Sequence, residues 1–394
     1  MLLHENFLKF IKINLRVQEA IGTFPVTFSS KNMLVLRNGG RLKLERIKTL
    51  IFIFYCITLW CELFHEGKSV PRIITLESLL CVTGMTNNCL VRCVVFEKRE
   101  YVAEVFNLFV QFEKRHLKGI RTSKMPPVGT EVRVLKTLLL FAIGYAPSVA
   151  IPYSMLQWFM GCNSINFGYF TIPACHSTDT DGNWSIFSII QLTLFCIIGC
   201  WFVIDVIGGF ALFVINFSLV QAYCLRRYVQ YITSCLIAKP EKGIVILPYF
   251  RQVQLLVRYY NNLQQDKLIL MALFIGTASF CLSYFVIIAL GVENISVPEL
   301  LFFLVIANYA TLFTNLYTKM MSRVYGASTE CNLVIKQKVL PKVPSRERKW
   351  VERYVKSFPL LKCYIGYNNY VDELTPLTLY SFCVDQTVSL LMVQ

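Results

Sequence analysis

The chain has 394 residues, of which 55% are hydrophobic and 16% are charged, with a formal net charge of +15. Soluble domains carry about 25% charged residues, so this composition, together with apolar runs of about 20 residues, indicates a multi-pass membrane protein. The positive excess lies in short segments beside the apolar runs, where the membrane orientation rule places it, and we therefore expect no nucleic-acid partner.

Seven apolar stretches are candidate membrane-spanning helices. In chain order they are Thr49–Phe64, Ile74–Phe96, Thr137–Met160, Ser185–Cys224, Leu268–Leu290, Pro298–Met321 and Pro376–Gln394. The fourth has 40 residues, and a break at Gly208-Gly209 would leave a second piece of only 15. A crossing needs about 17 residues, so we interpret the fourth stretch as one long helix that projects beyond the bilayer.

Lys and Arg residues lie almost entirely on one side of these spans. The N-terminal segment and the loops after the second, fourth and sixth spans hold 34 of them, whereas the other loops and the C-terminal end hold 2. Because basic loops stay in the cytoplasm, we expect the N-terminus inside and the C-terminus outside. The glycosylation sequons that begin at Asn183 and Asn294 both fall in predicted external loops.

The predicted fold is an all-α membrane protein with seven transmembrane helices and cytoplasmic helical extensions. Its parts are a cytoplasmic segment over residues 1–48, six spans with helical internal loops over 49–321, an anchor-like cytoplasmic helical segment over 322–375 and a seventh, short helix over 376–394. The first residues lack the apolar core of a cleavable signal peptide, so the first span is expected to act as the insertion signal.

Each internal loop shows the apolar spacing of an amphipathic helix. The three stripes are Val102, Val105, Phe106 and Phe109, then Val253, Leu256, Val257 and Tyr260, then Val351, Tyr354, Val355 and Phe358. Such helices either lie on the inner membrane face or pack into a cytoplasmic bundle. Charges of both signs flank the stripes, which favours the bundle.

Catalytic and metal-binding signatures are absent from the sequence. The four histidines are dispersed, the 15 cysteines show no C-x-x-C zinc spacing, and no glycine-rich phosphate loop precedes a helix. We therefore expect neither an enzyme nor a cofactor. Cys162 and Cys175 share the second predicted external loop, an oxidising location, so they form either a disulfide or two free thiols.

Polar groups inside the spans mark candidate functional positions, because they are expensive in lipid. Asp385, Gln386 and Thr387 are adjacent in the last span and predict a water-lined face. Polar and aromatic residues also cluster in the outer halves of the other spans and predict an aromatic-lined ligand cavity. These are Tyr153, Gln157, Trp158, Gln191, Tyr284, Phe302, Phe303 and Asn308. The alternative at each position is an ordinary residue of the interfacial aromatic belt.

The last span ends in Thr387-Val388-Ser-Leu-Leu-Met-Val-Gln394. In its Thr, its five-residue spacing and its Gln this resembles the insect-type gustatory receptors of the gustatory and odorant receptor superfamily. Their last helix carries Thr-Tyr, five apolar residues and Gln-Phe; Val388 stands here in place of the Tyr. An alternative alignment pairs Pro376–Asp385 with the family segment just before its pore helix. The topology, the long fourth helix and the 54-residue last internal loop extend the resemblance to nearly the whole chain.

The resemblance implies a ligand-gated, non-selective cation channel in the plasma membrane of sensory neurons. Such receptors are homo- or hetero-tetramers in which the last helices line a central pore, cytoplasmic helices join the subunits, and a small tastant or odorant binds among the outer helix halves. The implied pore residues here are Gln386, Thr387, Leu391 and Gln394, which lie roughly along one helical stripe.

Three other functions compete with a channel. A seven-helix G-protein-coupled receptor would have basic loops after spans one, three and five, but these hold 2, 0 and 0 basic residues, and the D-R-Y and N-P-x-x-Y motifs are absent. A non-conducting accessory or co-receptor subunit is favoured by the short last span, and a transporter is disfavoured because no internal repeat is visible.

Overall fold

The computed structural model of the chain describes residues 7–21, 25–29, 33–36, 39–66, 72–116, 130–140, 186–187, 189–194, 196–197, 200–201, 204, 213–290, 297–366 and 369–392, some of them by their backbone only. Most of these residues are helical. We number the elements of the described ranges in chain order and leave the helical residues between 186 and 204 without a label.

The N-terminal half contains α1 (Leu8–Ile21), a hairpin of β1 (Val26–Phe28) and β2 (Leu34–Leu36), α2 (Gly39–Glu66), α3 (Arg72–Glu97), α4 (Arg99–His116) and α5 (130–140). A π-helical segment, Phe213–Leu219, leads into α6 (Val220–Ala238), a 3-10 turn (Pro240–Lys242), α7 (Gly243–Gln264) and α8 (Lys267–Leu290). Next come α9 (Val297–Val334), a π segment (Ile335–Val339), a 3-10 turn (Leu340–Lys342), α10 (Ser345–Lys356), β3 (Tyr364–Ile365), β4 (Asn369–Tyr370) and α11 (Thr375–Met392).

Five of the predicted spans fall on helices of the structure. The first, second, fifth and sixth lie within α2, α3, α8 and α9, and the described residues of the seventh lie in α11. Within the described residues, two helices are long and apolar enough by themselves to cross a membrane, over Lys43–His65 and Lys267–Phe285. The mostly helical structure agrees with the predicted all-α class, and β1–β2 and β3–β4 add two short antiparallel hairpins.

The largest hydrophobic core lies mostly in the predicted internal segments and extends into the adjoining ends of the spans. It joins α1, the β1–β2 hairpin, α4, α5, α6, α7, α9 from Tyr317 onward and α10, which we call the basal bundle. Phe106, Tyr228, Phe250 and Tyr260 are fully buried in it. Of the three predicted amphipathic stripes, every residue is buried except the half-buried Tyr354. These stripes therefore pack into one bundle and do not form three separate helices on a membrane face.

The N-terminal segment belongs to this bundle. Ile11 and Leu15 of α1 are buried in its core, and the side-chain amide of Asn14 donates to the Leu139 carbonyl of α5 at 3.1 Å. Asn107 of α4 holds the edge of β2, because its Oδ1 accepts from the Leu34 N–H at 2.8 Å and its Nδ2 donates to the Leu34 carbonyl at 2.9 Å. The N-terminal segment, which was placed in the cytoplasm only by its basic residues, thus contributes to the hydrophobic core.

The helices that coincide with predicted spans pack differently. α3 lies between α2 and α8, and α8 also contacts α9 and α11. Large apolar side chains on their outer faces remain exposed, including Phe54 on α2, Phe274 on α8 and Val388 on α11. Helices that are apolar on the outer face as well as on the packed face are what a lipid environment requires.

Candidate ligand and pore sites

Several predicted site residues lie outside the described residues. They are Tyr153, Gln157 and Trp158 of the ligand set, Gln394 of the pore set, the cysteines Cys162 and Cys175, and the sequon residues Asn183 and Asn294. Their roles stay predictions. Phe302 and Phe303 lie on α9, where the structure describes the backbone.

The other members of the ligand set occupy three different environments. Gln191 is half-buried, and its Oε1 is buried with no hydrogen-bond partner among the described residues. Asn308 of α9 is exposed and donates to the Leu304 carbonyl one turn earlier at 2.9 Å. Tyr284 of α8 lies 3.2 Å from the Thr311 hydroxyl of α9. The ligand cavity predicted from this set stays a prediction.

A hydrogen-bonded junction joins α8, α9 and α11. Thr311 bonds to the Tyr284 hydroxyl through its side chain and accepts at its carbonyl from the Tyr380 hydroxyl of α11 at 3.1 Å. If these helices span a membrane as predicted, polar groups between them must find partners there, because lipid offers none. Thr311 and Tyr380 are not among the predicted site residues, although each is a polar group in an apolar run and therefore carried the same signal.

The predicted pore residues of α11 also differ in environment. Gln386 and the preceding Asp385 are exposed, whereas Thr387 is 6% exposed and packs against α8. The Thr387 hydroxyl donates to the Cys383 carbonyl at 2.8 Å and lies 3.5 Å from the Cys281 carbonyl. Leu391, one turn later, is half-buried. The open side of α11 in this single chain therefore carries Asp385 and Gln386, and its inner side carries Thr387.

Charged groups in the basal bundle connect separate helices. Glu131 of α5 binds Arg226 of α6, whose Nη1 lies 2.6 Å from the carboxylate, and it also pairs with Arg323 of α9. Burial lowers the pKa of the Arg226 guanidinium. These ion pairs connect the helical segment just before the third predicted span to the helical extensions that follow the fourth and sixth spans.

A second polar contact lies deeper in the bundle. Glu113 of α4 is 1% exposed, and the Tyr228 hydroxyl of α6 donates to its carboxylate at 2.8 Å. Burial, followed by the nearby Glu113 charge, raises the pKa of Tyr228 well above its ordinary value, so this phenol stays protonated and remains a donor. Among the described residues no group of three or more His, Cys, Asp or Glu side chains is placed to hold a metal ion.

The fold of this chain is similar to that of solved insect olfactory receptor structures. The olfactory receptor OR5 of Machilis hrabei has a solved structure that is similar to this chain with a TM-score of 0.63 and 12% identity, over 98% of each chain. The structure of the same receptor in complex with eugenol is similar with a TM-score of 0.61 and 12% identity, again over 98% of each chain. No family model and no curated protein sequence matches the chain. At this identity the likeness establishes the fold.

Proposed function

We propose that the chain is a chemosensory receptor of the gustatory type that acts as a ligand-gated, non-selective cation channel. The observation that carries this proposal is the full-length likeness to an insect olfactory receptor, one structure of which holds the small molecule eugenol. A receptor fold shared from end to end favours small-molecule sensing over catalysis. The Thr387-to-Gln394 spacing in the last helix supports the gustatory type.

We further propose a plasma-membrane orientation with the N-terminus inside and the C-terminus outside. All four basic segments contribute to one core, through residues such as Ile11, Phe106, Phe250 and Val351. Segments that share a core lie on the same side of a membrane, and basic segments stay in the cytoplasm. Epitope tags on both termini of the protein, expressed in intact cells, test this orientation. An antibody should stain the C-terminal tag without permeabilisation, and staining of the N-terminal tag alone would contradict the proposal.

In the proposed assembly four copies, or this chain with related subunits, place α11 around a central pore. The exposed side of α11 carries Asp385 and Gln386, which suits a water-filled surface better than lipid. A small organic ligand would bind among Gln191, Tyr284, Asn308 and the other outer residues named above. Ligand binding opens such a pore only if the ligand has a higher affinity for the open state than for the closed state.

Expression in a cell that lacks other receptors tests the channel function. Whole-cell current is recorded while a panel of tastants and odorants is applied, with untransfected cells as the control and surface labelling as a measure of expression. We expect an inward cation current for at least one compound. Silence across the panel despite surface expression would contradict an autonomous channel, and a current that appears only with a second receptor subunit would identify the chain as an accessory subunit.

A further inference from the structure

Two buried thiols meet between α8 and α11. Cys281 and Cys383 are each 5% exposed and form one packed cluster with the rings of Tyr284 and Tyr380. Both cysteines are free, and their side chains pack against each other. The Thr387 hydroxyl approaches the Cys281 carbonyl at 3.5 Å, so the two helix backbones are also close here. Facing side chains on closely packed backbones are what a disulfide requires.

We propose that Cys281 and Cys383 form a peroxide-sensitive dithiol site, at which hydrogen peroxide links the last helix to α8 through a disulfide. This modification site is a property of the chain itself. Its consequence for ion current rests on the proposed channel function: if α11 lines the pore and moves against α8 when the pore opens, the covalent link reduces the current.

The reaction balances with hydrogen peroxide as the oxidant. The thiolate of one cysteine attacks a peroxide oxygen, the O–O bond breaks, and a sulfenic acid and a water are formed, the water taking up the thiol proton. The second thiol then attacks the sulfenic sulfur, so that the S–S bond forms, the S–O bond breaks and a second water leaves. The two cysteines lose two electrons and two protons, and the peroxide is reduced to two waters.

The position of the pair favours hydrogen peroxide over larger reagents. Both thiols are almost fully enclosed by neighbouring side chains, which excludes bulky alkylating compounds but not an oxidant close to water in size.

The test measures the linkage and the current separately. Cells that express the full chain are treated with hydrogen peroxide, and the purified protein is digested without reduction for mass spectrometry. We expect a peptide pair joined between Cys281 and Cys383, present in the wild type and absent from Cys281→Ser and Cys383→Ser. The agonist-evoked current of the wild type should fall several-fold after peroxide and return with dithiothreitol, while both variants keep their current.

Cys56→Ser provides the matched control, because Cys56 of α2 is also buried against another thiol, Cys89 of α3, away from α11. This variant should lose current after peroxide as the wild type does. Cys383→Ala repeats the test with an apolar replacement if the serine variants fail to reach the surface. Absence of the linked peptide from peroxide-treated wild type would overturn the dithiol site. A linkage that leaves the current unchanged would overturn its effect on opening, and a wild type without any agonist current would contradict the proposed function while the peptide still decides the site.

Discussion

Nη2 of Arg92 in α3 lies 3.1 Å from Oε2 of Glu45 in α2, and the two side chains are 10% and 4% exposed. The Nε of Arg92 also donates to the Thr49 hydroxyl at 3.2 Å, and Lys48 lies 3.6 Å from the other carboxylate oxygen. A carboxylate that has lost its water is tolerated only when it is paired and hydrogen-bonded. This contact therefore fixes α2 against α3 at the basic ends of the first two spans.

Replacing Arg92 with Met should lower the free energy of unfolding by about 3–5 kcal/mol, because Glu45 would remain buried without its main partner. The double variant with Glu45→Gln should recover part of this loss, since it removes the unpaired charge. Chemical unfolding of the detergent-solubilised protein measures both values. Arg46→Met is the control at an exposed neighbouring position on α2. Equal losses for Arg92→Met and Arg46→Met would show that the pair does not stabilise the fold.

A second prediction concerns the start of α11. Oδ1 of Asp372 accepts from the Thr375 N–H at 2.8 Å and from the Thr375 hydroxyl, while the Asp372 N–H donates to that hydroxyl at 2.9 Å. These bonds, the hydroxyl first, hold the pKa of Asp372 below its usual value. Asp372→Ala should lower the free energy of unfolding by about 1 kcal/mol, as for other lost helix caps. Glu373→Ala, at the exposed next residue, should have little effect.

The pH dependence of this cap has a definite sign. The pKa of Asp372 is lower in the folded chain than in the unfolded chain, so the carboxylate stabilises the fold above its unfolded pKa of about 3.9. The contribution is lost as the pH falls through the lower, folded pKa. The difference in unfolding free energy between the wild type and Asp372→Ala should therefore shrink in acid. A difference that is constant from neutral pH down to pH of about 3 would argue against this account.

The sequence predicted the elements that depend on local pattern. Apolar runs indicated α2, α3, α8, α9 and α11, and apolar residues at helical spacing, such as Phe106, indicated the helices of the basal bundle. The role of α1 was not predicted, because the first 48 residues were interpreted by their charge. Its stripe of Leu8, Ile11 and Leu15 does carry the necessary signal.

Contacts between side chains on different helices could not be predicted from local sequence patterns. Glu45 and Arg92 are 47 residues apart, and no periodicity states which helices are neighbours. The same limit applies to the site. Helical spacing put Gln386 and Thr387 near one stripe, but the contact of α11 with α8 decides that Thr387 is buried and Gln386 is exposed. The face that a helix buries follows from its own pattern, whereas the partner follows from the tertiary fold.

A third prediction separates these two adjacent residues of α11. If α11 lines the pore, Gln386→Glu should change the relative permeability to cations, because it adds a charge on the exposed side of the helix. Thr387→Val keeps the shape but removes the hydroxyl that lies near the Cys281 carbonyl, so it should alter the agonist concentration for half-maximal current without changing the reversal potential. Reversal potentials in Na⁺ and K⁺ solutions measure the first effect. A reversal potential that shifts in Thr387→Val but not in Gln386→Glu would contradict this account, because it would place Thr387, and not Gln386, on the pore side of α11.

The fourth prediction tests the close approach of α7 to the π segment that follows α9. Gly243 begins α7, and a Cβ at this position would overlap the γ-methyl carbon of Val339, which is fully buried. A buried, β-branched neighbour has no free rotamer into which it can move. Gly243→Ala should therefore lower the free energy of unfolding by about 1–3 kcal/mol through overpacking. Gly84→Ala on α3 is the matched control, because no described atom lies within 4 Å of its added methyl group. Thermal unfolding should show a lower midpoint for Gly243→Ala than for Gly84→Ala, since only the first substitution forces the two segments apart; equal midpoints would mean that they do not pack this closely.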